Sequence, residues 1–170
     1  MKQTGKKWLI RIMSTILVIV WMIVIFGYSG QQGEESASLS SKVSKIIIQG
    51  TNQVFHMEWN VDEMLENAKS IEYPIRKCAH MTEYAILALL VFGTLGCYGM
   101  KIRKMRYWIA VGYVFAYAST DEFHQTFVDG RYGCFSDVCI DTAGAILAML
   151  LLWLVISKVR KHKAKKKLKK

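Results

Sequence analysis

The sequence predicts an all-α polytopic membrane protein, with four transmembrane helices in a bundle and an outer amphipathic-helical loop. Three observations predict it. Of 170 residues, 52% are hydrophobic and the mean hydropathy is +0.20, too apolar for a disordered chain or an ordinary soluble globule. Stretches of about 20 mostly apolar residues, the length that crosses about 30 Å of hydrocarbon, alternate with short charged clusters. The charge, +10 overall, is distributed by segment rather than spread evenly.

The first span runs over about 8–28, from Trp8 to Tyr28, with Arg11 near enough to its start to snorkel toward the headgroups. A cleaved signal peptide over 1–28 is the alternative. Against it, the apolar run is long and no A-x-A site follows Tyr28. The outer loop, 29–74, carries two helical signals. Leu39, Val43, Ile46, Ile47 and Val54 recur at helical spacing beside Ser and Lys, an amphipathic pattern suited to the membrane surface. Asn60 with Glu63 forms a capping-box pair ahead of Met64, Leu65 and Ala68. The second span runs over about 75–98, behind Pro74, which suits a first-turn position because proline lacks the N–H left unpaired there. The third, 105–126, reaches spanning length only if the apolar run from Tyr107 to Ser119 continues through Asp121, Glu122, His124 and Gln125. The fourth runs over 137–157.

Charge sets the expected orientation. The N-terminus, the loop from Lys101 to Arg106 and the tail from Lys158 to Lys170 hold 17 basic residues and no acidic one. The rest of the chain holds six basic residues and all 13 acidic ones. The positive-inside rule therefore predicts a cytoplasmic segment 1–7, a membrane domain 8–157 and a cytoplasmic polybasic tail 158–170, with both termini inside. The excess of positive charge reports topology and gives no reason to expect nucleic acid as a partner; the tail would touch anionic lipid. The four cysteines, Cys78, Cys97, Cys134 and Cys139, lack a C-x-x-C pair and receive no role.

The informative residues are polar ones inside the spans. At 1.5 Å per residue, Glu83, Asp121 and Asp141 each stand roughly 22 to 24 Å above the cytoplasmic end of their helix, at one level of the outer leaflet. Charges at that depth are costly in lipid and should face one another or a wet cavity. Helical phase agrees, placing Arg76, His80 and Glu83 on one stripe flanked by Lys77 and Tyr84. Tyr117, Asp121, His124 and Gln125 share a face with Glu122 at its edge. Asp137 and Asp141 line up above Gly144 and Ala148, small residues that permit close helix approach. Arg131, in the following turn, can reach over the group. With neutral histidines, three cations and five carboxylates leave a formal −2, which a proton, a divalent cation or a cationic part of a ligand would offset. His80 with Glu83, and His124 with Asp121, give no recognised zinc signature, so no metal ligand and no cofactor is assigned and a divalent metal stands as the weaker alternative. Interhelical salt bridges such as Arg76 to Asp141, merely locking a bundle, are the bland alternative for the whole set.

These residues also carry a resemblance. RKCAHMTEYAILALL (76–90) resembles the R-K-x-x-H-x-x-E-Y-x-x-L signature of VanZ-like membrane proteins. STDEFHQTFVDGR (119–131) is similar to that family's D-E-x-x-Q-x-F and G-R turn, and SDVCIDTAGAILA (136–148) to its D-V-x-x-D-x-x-G helix start. FGYSGQQ (26–32) is similar to the exit of its first span. The resemblance, from Phe26 to Ala148, implies the motif positions Ser29, Arg76, Lys77, His80, Glu83, Tyr84, Asp121, Glu122, Gln125, Arg131, Asp137, Asp141 and Gly144, with His124 at a variable position. It implies a link to resistance against the glycopeptide antibiotic teicoplanin, with no established molecular activity.

Two functions are expected from this reading. In one, an outward-facing polar pocket in the bacterial cell membrane binds a lipid-linked envelope precursor or a glycopeptide-like molecule, with Ser29, Arg76, Lys77, His80, Glu83, Tyr84, Asp121, Glu122, Gln125, Arg131, Asp137 and Asp141 as its ligand-binding set. In the alternative, the same pocket is the site of a hydrolase or transferase acting on a lipid head group, with His80, Glu83 and Asp121 as catalytic candidates. No nucleophile motif or phosphate cradle is present. Transport is disfavoured because the spans below Glu83, Asp121 and Asp141 are apolar. The oligomeric state is not legible.

Overall fold

In the computed structural model the described residues are 2–31 and 33–167, with side chains described over 5–31 and 37–166. Gln32 of the first motif and Lys169 and Lys170 of the tail lie outside them. The described residues form five helices: α1 (Lys2–Ser29), α2 (Gly33–Phe55), α3 (Val61–Cys97), α4 (Arg103–Gln125) and α5 (Phe135–Lys167). α1, α3 and α5 are each long and apolar enough to cross a membrane. The chain is a multi-pass membrane protein. α4 is similar in length to a span but carries five charged residues, Arg103, Lys104, Arg106, Asp121 and Glu122.

α3 is the hub, packed against each of the other four helices, and α5 closes the bundle against α3 and α4. The interior is assembled from residues of α1, α3, α4 and α5, among them Ile25, Tyr84, Leu87, Ala88, Ala110, Val114, Ala118 and Ala145. Small side chains recur at these contacts because helices in an apolar solvent associate by close van der Waals approach rather than by expelling water. Gly144 shows how close: a β-carbon there would lie 2.4 Å from the Met81 backbone carbonyl of α3. Cross-helix hydrogen bonds to backbone carbonyls tie α1 antiparallel to α3 and beside α4. Arg11 Nε donates to the Cys97 carbonyl at 3.1 Å, Trp21 Nε1 to that of Glu83 at 2.9 Å, and the Tyr117 hydroxyl to that of Met22 at 2.7 Å. Arg11, expected to snorkel toward the headgroups, reaches the C-terminal end of α3 and lies over the Tyr98 ring. The carbonyls freed at a helix end offer it stronger partners than a lipid interface does.

The segment 29–74, expected to carry two helical signals, is helical for most of its length. Its second signal and the second span are one helix, and Pro74 lies in the interior of α3 rather than in its first turn. An interior proline forfeits one backbone hydrogen bond and crowds the preceding turn, at a cost of about 3 kcal/mol. Here α2 packs along α3, which runs unbroken through Pro74: Ala68 is buried ahead of the proline, and beyond it Arg76 Nε donates to Ser40 Oγ at 3.4 Å. The start of α3 is the one expected, with Asn60 Oδ1 accepting from the Glu63 N–H at 2.9 Å and the Glu63 carboxylate accepting from the Asn60 N–H at 2.8 Å. α2 meets α3 through a face on which Ser40, Ser44 and the apolar Ile48 are buried, while Leu39, Val43, Ile46, Ile47 and Val54 remain exposed. α5 runs on beyond Ser157 through the basic residues as far as Lys167.

Candidate functional site

Four chain segments meet at one end of the bundle: the end of α1, the first half of α2, α3 around Arg76 and the α4–α5 turn (126–134). The turn is built by successive backbone hydrogen bonds, from Thr126 to Phe123, Phe127 to His124 and Val128 to Gln125, so that it continues α4 before reversing. Gly133 is required where the returning strand of the turn touches α4, since a β-carbon there would stand 2.1 Å from the Glu122 carbonyl. The Cys134 N–H then donates to Glu122 Oε2 at 2.9 Å, fixing the carboxylate of α4 to the start of α5.

Two adjoining cavities open here. One, of about 220 Å³, is polar and lined by Lys77, Glu122, Gln125, Asp137 and Asp141 with Tyr73 and Tyr132. The other, of about 190 Å³, is lined mostly by carbon, from Leu39, Val43, Ile75 and Ala79, with Glu83 at its polar edge. Arg76, His80 and Arg131 line both and form the shared wall.

Within the wall the pairings are specific. Lys77 Nζ forms an ion pair with Asp137 Oδ2 at 2.5 Å, joining α3 to α5. His80 Nδ1 stands 3.5 Å from Glu83 Oε2. The Arg76 to Asp141 bridge of the bland reading is not formed; these two are the ion pairs among the described residues. Arg131 Nε donates to the Gln31 carbonyl at 3.2 Å, so the turn is held to the end of α1 by a neutral acceptor. Burial first, and then the neighbouring charge of Arg76, hold the Arg131 guanidinium below its ordinary pKa. Asp141 is 3% exposed, and its carboxylate has no hydrogen-bond or ion-pair partner among the described residues.

The expected residues thus separate into two layers. Arg76, Lys77, His80, Glu83, Glu122, Gln125, Arg131, Asp137 and Asp141 reach the cavities. Ser29, Tyr84 and Asp121 do not. They form a buried layer below, in which the Tyr84 hydroxyl donates to Asp121 Oδ2 at 2.9 Å and Gln125 Nε2 donates to Ser29 Oγ at 2.9 Å. Asp121 Oδ1 in this layer is buried without a partner. Asp121 thus lies behind the cavity wall, hydrogen-bonded to Tyr84 and near Gln125, and does not line either cavity. His124 lies apart, its ring 4.3 Å from that of Phe26. Among the described residues no three His, Cys, Asp or Glu side chains stand together as a metal-ligand set.

Sequence reasoning missed Tyr28, Gln31, Ser40, Tyr73 and Tyr132 as lining residues. Ser40 had a signal, its four-residue spacing from Ser44 marking a small face for helix contact. The tyrosines had none, since a tyrosine near a helix end is commonplace at a membrane interface.

No curated protein and no solved structure matches the chain. The VanZ/LLP1 family does, over residues 14–156, and those residues contain every element that builds the two cavities: this chain belongs to the VanZ/LLP1 family.

Proposed function

We propose that this chain works in the bacterial cell membrane as an envelope protein whose polar cavity faces outward and holds the polar head of a lipid-linked or glycopeptide-like molecule, thereby contributing to resistance against teicoplanin-type glycopeptides. α4 is the third of four crossings on this reading. Its Asp121, Glu122 and Gln125 are buried against other helices, so they do not burden it with charge in lipid. Both termini and the α3–α4 turn are cytoplasmic. At that end Arg103, Arg106, Arg160 and Lys163 gather round one cavity, as the positive-inside rule expects of a cytoplasmic face.

The observation that carries the reading is Asp141, a buried carboxylate without a hydrogen-bond or ion-pair partner among the described residues, which lines the same cavity as Arg76 and Arg131. A buried unpaired charge costs several kcal/mol. A ligand presenting an amine to Asp141 and an anionic group to the arginines would offset that cost. Expressing the protein with Glu83→Ala or Asp141→Ala in a glycopeptide-susceptible host tests this: both should abolish the rise in teicoplanin tolerance given by the unaltered protein, and unchanged tolerance sinks the reading.

A second reading is favoured by one feature, the His80–Glu83 pair beside Arg76 and Arg131. An imidazole oriented by a carboxylate next to two cations suits a general base acting on a lipid head group. Mass spectrometry of membrane lipids with and without expression decides it, and an unaltered lipid profile counts against catalysis.

A further inference from the structure

The wall shared by the two cavities holds two guanidinium groups with no carboxylate partner. Arg76 donates to a serine hydroxyl and Arg131 to backbone carbonyls, and neither forms an ion pair among the described residues. Lys77 differs, being neutralised by Asp137. Among the described residues, the wall's two planar, fork-shaped cations thus have no ion pair, while its point-charge one does. Guanidinium forks match the oxygens of phosphate bidentately. Two of them on one wall suit an anion carrying more than one oxygen.

On one side of this wall lies the polar cavity. On the other, Leu39, Val43, Ile75 and Ala79 make an apolar groove between α2 and α3 that joins the exposed stripe of Ile46, Ile47 and Val54 on α2. α2 has turned its serine face to α3, so this stripe has no protein partner among the described residues. Cations at one end of an apolar groove define an amphiphile by charge and by polarity.

We infer that the ligand is an anionic amphiphile, its phosphate lodged between Arg76 and Arg131 and its hydrocarbon chain lying in the groove of Leu39, Val43, Ile75 and Ala79. This rests on the proposal that the pocket holds a lipid-linked molecule, and it names that molecule's class. The phosphate sits at the edge of the His80–Glu83 pair, and the remainder of the head group extends toward Asp141. The alternative source of the same chemistry is free phosphate, which would use the arginines and leave the groove idle.

The test is equilibrium binding of phosphorus-radiolabelled dodecyl phosphate to the full-length protein purified in dodecyl maltoside, with inorganic phosphate as competitor. Arg76→Gln should weaken binding about tenfold or more, the loss of one charge-assisted contact. Arg76→Lys should recover part of it. Val43→Trp should weaken dodecyl phosphate by a similar factor, because it fills the groove while leaving both arginines in place. Arg131→Gln is a poorer probe, since Arg131 also holds the end of α1. Binding unchanged in both Arg76→Gln and Val43→Trp, with thermal melting like that of the unaltered protein, overturns the inference. Inorganic phosphate competing as well as dodecyl phosphate overturns the groove and assigns the arginines to free phosphate. Failure here is separable from failure of the resistance role: a protein whose teicoplanin protection needs Asp141 yet binds no dodecyl phosphate keeps that role and loses the phosphate assignment. Binding of dodecyl phosphate without any effect on tolerance does the reverse.

Discussion

The Tyr84 hydroxyl donates a 2.9 Å hydrogen bond to Asp121 Oδ2, from α3 to α4, at a depth where both residues are at most 2% exposed. This bond supports the wall from beneath. Gln125 Nε2, the other donor to that oxygen, lies at 3.4 Å and is shared with Ser29. Tyr84→Phe therefore leaves the carboxylate with one long hydrogen bond, and should destabilise the protein by about 1 kcal/mol. Asp121→Asn should be milder, because the amide oxygen still accepts from Tyr84 and the buried charge is gone. Thermal unfolding in detergent checks both, and a Tyr84→Phe protein as stable as its parent would refute the support role.

Gly144 sets the separation of α3 and α5. Its substitution by alanine drives a β-carbon into the Met81 carbonyl, which is backbone and has no rotamer to escape into. Gly144→Ala should cost about 1–3 kcal/mol as overpacking, and by moving α5 off α3 it should also open the Lys77–Asp137 pair. Gly112, in α4, has nothing within 4 Å of a β-carbon. Gly112→Ala should be neutral or stabilising by up to about 1 kcal/mol, from helix propensity. Melting the two variants side by side distinguishes a close contact from a generic glycine effect.

The capping box at the start of α3 is a local device. Asn60→Ala removes the acceptor of the Glu63 N–H and should cost about 1 kcal/mol. The loss should appear as faster amide exchange over 61–64, with the amides around Tyr84 unaffected. Faster exchange reaching Tyr84 would mean that the two halves of α3, on either side of Pro74, unfold as one.

Cys134 reports orientation. It is exposed in the α4–α5 turn, and its Sγ lies 3.1 Å from Ser136 Oγ, a hydrogen bond that lowers the thiol pKa. In a variant with the other cysteines changed to serine, a membrane-impermeant maleimide should label it from outside intact cells. Ser136→Ala should raise the thiol pKa toward its ordinary value and slow labelling near neutral pH, because less thiolate is present. Labelling only after the cells are opened would reverse the proposed topology.

Much of the site was legible because helical phase is a local property. Arg76, His80 and Glu83 share a stripe whatever α3 packs against, and all three reach the cavities. Pro74 misled for a physical reason: a proline at a helix start and a proline inside a helix braced by a neighbour present the same local sequence. The brace, α2, was visible only as an amphipathic helix, and its apolar stripe gave no hint that the serine face would be the one to pack. Asp121 was assigned to the ligand by its charge and level. Its side chain instead faces Tyr84, a matter of which helix stands beside which.

By itself the sequence determined the all-α membrane class, the grouping of basic residues at one end, and the motif residues that place the chain in its family, since length, hydropathy and spacing along a helix need no tertiary contact to be read. Only the tertiary structure decided which of the charged residues are paired. Lys77 is neutralised by Asp137, while Arg76, Arg131 and Asp141 have no ion pair among the described residues, because pairing depends on distances across helices that the approach of α3 to α5 at Gly144 and the turn at Gly133 impose.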